Sequence, residues 1–171
     1  MPVCIAGKND IPVLVRLINS AYRGEASKKG WTTEAGLIEG EVRIDEESVK
    51  ELMESEGVVF LKYLSEDEGI AGSVFLQPVD NKLYLGMLTV SPDVQTKGIG
   101  KQLMNASFEY AKKMGNTCIY MRVISLRTEL INWYERQGYC KTGKTEPFPN
   151  HTRFGTPRQP LEFVILEKIV F

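Results

Sequence analysis

Along the chain, short apolar stretches of β character alternate with longer segments whose apolar residues recur every three to four positions. Val3–Ala6 predicts a short strand. Asp10 followed by Pro12 predicts a helix start, a capping carboxylate just before a proline in the first turn. Ile11, Leu14, Val15, Ile18 and Tyr22 then keep helical spacing. A second, short helix is predicted behind Asp45 as cap, with Glu46 and Glu47 in its first turn and Val49, Leu52 and Met53 as its buried stripe. Val58–Leu64, Ile70–Gln77 and Leu83–Val90 read as strands joined by turns at Glu66-Asp67-Glu68-Gly69 and Asp80-Asn81, hence an antiparallel meander. Gly98–Met114 predicts a long helix with Ile99, Leu103, Ala106, Tyr110 and Met114 on one face, stopped by Gly115. Thr117–Ile124 is a strand, Leu126–Gln137 a helix ended by Gly138, and Tyr139–Lys144 a strand. Pro147, Pro149, Pro157 and Pro160 frame a loop before the closing strand Leu161–Val170, which either pairs with a second copy in a homodimer or is internal. The order β-α-α-β-β-β-α-β-α-β-β predicts a mixed α/β fold, helices on a central sheet, in one domain over residues 1–171. Only Arg23–Arg43 lacks a period, and a patternless segment that long is functional or mobile.

Composition narrows the picture. With 171 residues, 43% hydrophobic and 25% charged, the chain can bury a core without disulfide or metal. Collagen, low-complexity disorder and a membrane bundle are excluded. The net charge of −1 provides no basic field for nucleic acid or an anionic membrane, so neither is expected as a partner. Cys4, Cys118 and Cys140 are widely spaced with no C-x-x-C, and His151 is the one histidine, so no metal site is expected. The cysteines read as packing residues in a reducing compartment. The first residues lack a basic, then apolar, leader pattern and no uncharged run has transmembrane length, so a cytoplasmic location is expected.

The chemistry concentrates in Leu88-Thr89-Val90-Ser91-Pro92-Asp93-Val94-Gln95-Thr96-Lys97-Gly98-Ile99-Gly100-Lys101. An apolar strand ends at Pro92, and a polar turn feeds Gly-x-Gly at a helix start. Glycine lets backbone N–H groups approach a ligand, and the helix N-terminus adds unsatisfied donors and partial positive charge. With Lys97 and Lys101 beside it, the junction suits a pyrophosphate. It is neither the Walker loop nor the dinucleotide fingerprint, since Lys101 and Leu103 stand where the latter wants its third glycine. The alternative is a helix start with tolerated glycines, each costing about 1 kcal/mol against alanine.

Gln95-x-x-Gly98-x-Gly100, between a strand and a long helix, resembles the acyl-CoA signature of the GNAT superfamily of N-acetyltransferases. Downstream, Trp133-Tyr134-Glu135-Arg136-Gln137-Gly138-Tyr139 resembles that family's second landmark. The clear likeness covers about Leu83–Lys144. It implies a GNAT-like, largely antiparallel central sheet flanked by helices, and an enzyme moving acetyl from acetyl-CoA to a primary amine in a ternary complex. By the resemblance, the amides of Gln95, Thr96, Lys97, Gly98, Ile99, Gly100 and Lys101 hold the pyrophosphate. The strand Leu88, Thr89 and Val90 takes the pantetheine arm as an added strand, and N–H groups near Leu88 and Thr89 hold the thioester carbonyl. Tyr134 protonates the departing thiolate. Members commonly carry an asparagine seven residues before that tyrosine, contacting the cofactor arm; here it is Arg127. Many also place a glutamate base on the strand before the signature; Leu83–Val90 has no carboxylate.

Glu34, Glu39 and Glu41 follow the first helix and are candidates for the base or a substrate anchor, with a solvated surface carboxylate as the alternative; Glu34 is carried forward as catalytic. Trp31 either lines an acceptor pocket or anchors its loop. Tyr22 and Arg23 point toward the same region, where Arg23 either pairs with a substrate carboxylate or caps the helix. His151, in the proline-framed loop, is a second base candidate and otherwise an exposed histidine. The acceptor is a small-molecule or peptide amine. A non-catalytic acyl-CoA sensor, another acyl donor, or an O-acceptor on the same scaffold are the alternative readings.

Overall fold

The computed structural model describes residues 2–23, 27–28, 33–40, 42–67, 69–94, 98–149 and 155–171. Among them the order is β1 (Val3–Ile5), a 3-10 turn (Lys8–Asp10), α1 (Ile11–Tyr22), β2 (Ile38–Glu39), α2 (Glu46–Glu54), β3 (Val59–Ser65), β4 (Gly69–Val79) and β5 (Lys82–Val90). Then follow α3 (Ile99–Lys113), β6 (Cys118–Ile124), α4 (Thr128–Arg136), β7 (Cys140–Pro147), β8 (Thr156–Pro157) and β9 (Glu162–Ile169). Seven strands form one sheet in the order β1-β3-β4-β5-β6-β9-β7. The meander β3-β4-β5 is antiparallel, as its tight turns require, and β5 meets β6 in parallel across the α3 crossover. Strand β9 has both edges filled, by β6 and β7, so it offers no edge to a second copy.

Apolar side chains divide between the two faces. Leu14, Ile18 and Ala21 of α1 and Val49 of α2 pack on Phe60 and Phe75. On the other face, α3 and α4 bury Ile99, Leu103, Leu130 and Ile131 against Val74, Leu76, Leu85 and Met121. The buried stripe of α3 is Ile99, Gly100, Leu103, Met104, Ser107 and Ala111. It is rotated from the one expected: Met114, at the C-cap, is 58% exposed. Ser107 enters the stripe because its hydroxyl donates to the Leu103 carbonyl at 2.8 Å and needs no water. At α1, Asp10 is the N-cap residue but caps no helical amide. Its carboxylate accepts instead from the Gly7 amide and Lys62 Nζ, each at 2.8 Å. Of the cysteines, only Cys118 packs inside; Cys4 and Cys140 are exposed.

Helix α3 lies close on the sheet at Gly72. A Cβ there would sit 2.9 Å from Ile99 Cγ2, 3.0 Å from Leu103 Cδ1 and 3.0 Å from the Thr89 carbonyl oxygen. The carbonyl is backbone and cannot swing away. Gly72→Ala is therefore expected to cost about 1–3 kcal/mol, the range for overpacking, read as a lower midpoint in urea unfolding. An unchanged midpoint would mean that α3 stands off from β4.

Candidate active site

Strands β5 and β6 pair only at their first residues, Lys82 with Cys118, Leu83 with Ile119 and Tyr84 with Tyr120. Beyond them the strands part, and Leu85–Leu88 and Met121–Ile124 line a cavity of about 100 Å³ between them. A bulge shapes its wall. Ser73 pairs with Thr89 and Phe75 with Gly86, so Met87 and Leu88 together face Val74. Met87 takes φ +49°, a left-handed conformation that a side chain adopts at a cost. The Leu88 carbonyl turns to accept a hydrogen bond from the Tyr22 hydroxyl at the end of α1. Neither residue was expected in this part: the sequence put Tyr22 on the acceptor, and the one bulge signal, Gly86 inside the strand just before Met87, was not read as such.

Burial pushes the Tyr22 phenol up to about 12. It stays neutral, and the bond intact, across the working pH range. An unfolded tyrosine ionises near 10, so this contribution to stability is complete below pH 10 and is lost as pH rises through about 12. Tyr22→Phe leaves the Leu88 carbonyl without this donor and is expected to cost about 2 kcal/mol, measured by thermal unfolding. A midpoint equal to wild type would mean that the bulge does not depend on Tyr22.

On the α4 side, Tyr134 lines the same cavity, its ring edge-on to Trp133 and Tyr139 at centroid distances of 5.3 and 6.2 Å. Burial pushes its phenol well above the usual tyrosine value, with Tyr22 a further contribution. Behind the splay, a larger cavity of about 600 Å³ lies between the start of α3 and α4, lined by Val90, Gly98, Gly100, Lys101 and Trp133 among others. Gly98 is the N-cap of α3 at φ +72°, a conformation suited to glycine. Among the described residues no side chain caps this helix, in contrast to α2, where Asp45 accepts from the Ser48 amide at 2.8 Å. The first-turn amides of α3 are thus available to an anion. Gln95, Thr96 and Lys97 lie outside the described residues, as do Trp31, Glu41 and His151.

Glu34 is buried, unlike the exposed Glu39. Its carboxylate accepts from Arg23 Nε at 3.2 Å and lies 3.7 Å from Arg43 Nε and 3.8 Å from an Arg127 terminal nitrogen. Its backbone is tied to α1 through the Tyr22 carbonyl, at 2.8 Å. Arg23 is also buried and donates to the Val42 carbonyl at 3.1 Å. Burial pulls its guanidinium down, while Glu34 pulls the other way. Arg127, expected on the cofactor arm, lines the Glu34 side of the splay with its guanidinium 6.0 Å from the Tyr22 ring centre. The sequence also missed a clasp. β2 pairs with β8, Ile38 opposite Pro157 and Glu39 opposite Thr156, joining the segment after α1 to the one after β7. Gly155, at φ +115°, makes the clasp tight: a Cβ there would sit 2.6 Å from an Arg23 terminal nitrogen.

The model of the acetyltransferase (GNAT) family matches residues 19–139, from the end of α1 to the residue before β7. A comparison with curated proteins yields no match. Among solved structures, ribosomal-protein-alanine N-acetyltransferase from Brucella melitensis superposes with a TM-score of 0.74 at 17% identity, covering 99% of both chains. The ribosomal-protein-S18-alanine N-acetyltransferase from Escherichia coli gives 0.72 at 15% identity, over 98% of this chain and 92% of that one. A GNAT superfamily phosphinothricin acetyltransferase from Sinorhizobium meliloti, solved in complex with AcCoA, gives 0.71 at 14% identity, over 99% and 89%. At such identities the likeness establishes the fold.

Proposed function

Because the chain belongs to the GNAT family of acetyltransferases, we propose that it moves acetyl from acetyl-CoA to a primary amine, both bound together in the opening between β5 and β6. One observation carries this reading. The left-handed bulge at Met87 and the Tyr134 ring line the splay, and the start of α3 lines a second cavity reached through their chain neighbours, Val90 at the end of β5 and Trp133 on α4. Acetyl-CoA supplies an acetyl group activated as a thioester. Its fit to this chain is supported by the larger cavity and by Gly98 at its floor.

In this reading the amides of Gly98, Ile99, Gly100 and Lys101, with Gln95, Thr96 and Lys97, hold the pyrophosphate. The backbone of Leu88, Thr89 and Val90 takes the pantetheine arm along the edge that β6 leaves open. The N–H groups of Leu88 and Thr89 draw charge onto the thioester oxygen. The acceptor nitrogen bonds to the acetyl carbon, the carbon–sulfur bond breaks with its electron pair on sulfur, and the Tyr134 hydroxyl donates its proton there. Water restores the Tyr134 proton and takes the one lost by the amine. Glu34, the one carboxylate among the described residues lining the splay, has its oxygens on Arg23 and near Arg43 and Arg127. That favours a positioning part for Glu34 over the proton-accepting one suggested by the sequence. Arg127 stands with it on the acceptor side.

The same commitment of Glu34 to guanidinium groups supports a second reading, an acyl-CoA sensor without turnover. Thiol release from acetyl-CoA across a panel of amines separates the two. Amine-dependent release is expected. Tight acetyl-CoA binding with no release from any amine or alcohol would favour the sensor, and no binding would end both readings.

A further inference from the structure

The acceptor side of the splay is organised around cations. Arg23 is spent internally, on Glu34 and the Val42 carbonyl. Arg43 is not. Its Nε lies 3.7 Å from Glu34, beyond hydrogen-bond length, and its guanidinium makes no hydrogen bond among the described residues. Yet it is held in place. Its backbone amide donates to Asn19 Oδ1 at 2.5 Å, its guanidinium sits 5.8 Å from the Tyr22 ring centre, and its side chain is 33% exposed while lining the cavity. A fixed guanidinium with unspent donors matches a carboxylate or a similar oxyanion. The cavity, at about 100 Å³, is well under the several hundred typical of drug-sized ligands, so the group it admits is small.

We propose that the acceptor is a small amino acid, or an oxyanion analogue of one, whose acid group is read by Arg43 while its amine faces Leu88 and Tyr134. This rests on the acetyl-transfer reading above. It also addresses the acceptor's proton. Arg43, with Arg127 beside it, disfavours a second cation, so the ammonium form of the bound amine is destabilised against the neutral, attacking form. That helps at a site where Glu34 is already engaged. Diamines, which bring a second positive charge, are disfavoured by the same field, and lysine side chains bring no anion for Arg43.

The test compares small amino acids with their amides as acceptors, in the wild type and in Arg43→Ala and Arg43→Gln. A charge-assisted contact predicts roughly ten- to a hundred-fold higher kcat/KM for acid than for amide, carried mostly by KM, and a ratio that collapses toward one in both variants. Preference for an aminophosphonate over the amino acid supports the anion site with a phosphonate as its source. Amides, diamines or an alanine-led peptide serving as well as the acids would overturn the proposal. If no amine turns over, N-acetylalanine and N-acetylalaninamide are titrated into the CoA-bound protein. Arg43-dependent binding of the acid alone then sustains the anion site while acetyl transfer fails. Equal binding of both, or none of the acid, overturns it.

Discussion

Glu34→Gln lowers the melting temperature by on the order of 10 °C. Removing one partner from a buried ion pair costs about 3 kcal/mol or more, because the remaining charge keeps its desolvation penalty, and in a chain this size each kcal/mol moves the midpoint by roughly 2–4 °C. Here one carboxylate, with side-chain exposure of 9%, serves Arg23 at 4% and Arg127 at 10%. Glutamine keeps the shape and removes the charge that offsets the guanidinium groups. Glu34→Ala adds a void and should be worse. Thermal unfolding checks this directly. A Glu34→Gln protein as stable as wild type but with greatly reduced turnover would reverse the assignment and return Glu34 to the role of base.

Tyr134→Phe lowers kcat roughly 10²-fold, near the low end of general-acid effects, with acetyl-CoA binding retained. The size follows from acidities. A thiol near 8.5 is a fair leaving group unaided, and burial holds the Tyr134 phenol well above its usual value, so proton donation to sulfur is uphill. The gain is stabilisation of developing charge. The same burial keeps Tyr134 protonated, so the rate shows no alkaline fall due to this group below about pH 10. A Tyr134→Phe enzyme at full rate would remove Tyr134 from the reaction, whereas a falling limb near pH 8–9 that disappears in the variant would keep Tyr134 as the acid and contradict its raised pKa.

Local chemistry was the legible part of the molecule. Gly98 and Gly115 bracket α3, Gly138 ends α4, and apolar runs joined by polar turns mark β3 to β5, so the order of elements follows from nearest-neighbour rules. The family landmarks at Gly98, Gly100 and Tyr134 fall on the two cavities. What escaped was long-range. Glu34 meets arginines from positions 23, 43 and 127, a convergence set by how α1, the segment before α2 and the start of α4 are placed on the sheet. The β2–β8 clasp is two residues long on each side, too short for any period. At Met87 the only local signal is the preceding Gly86; which residue takes the left-handed conformation is set by the pairing of β4 with β5 around it. The stripe of α3 was misjudged because Ser107 satisfies its own hydroxyl on the helix.

Amide hydrogen exchange with and without acetyl-CoA tests most directly whether the splay between β5 and β6 holds the donor. The account predicts slowed exchange at Leu88–Val90 and in the first turn of α3 at Gly98–Lys101, with little change in β1 and β3. Unchanged exchange at both places under saturating acetyl-CoA, or protection confined to another face of the sheet, would contradict it.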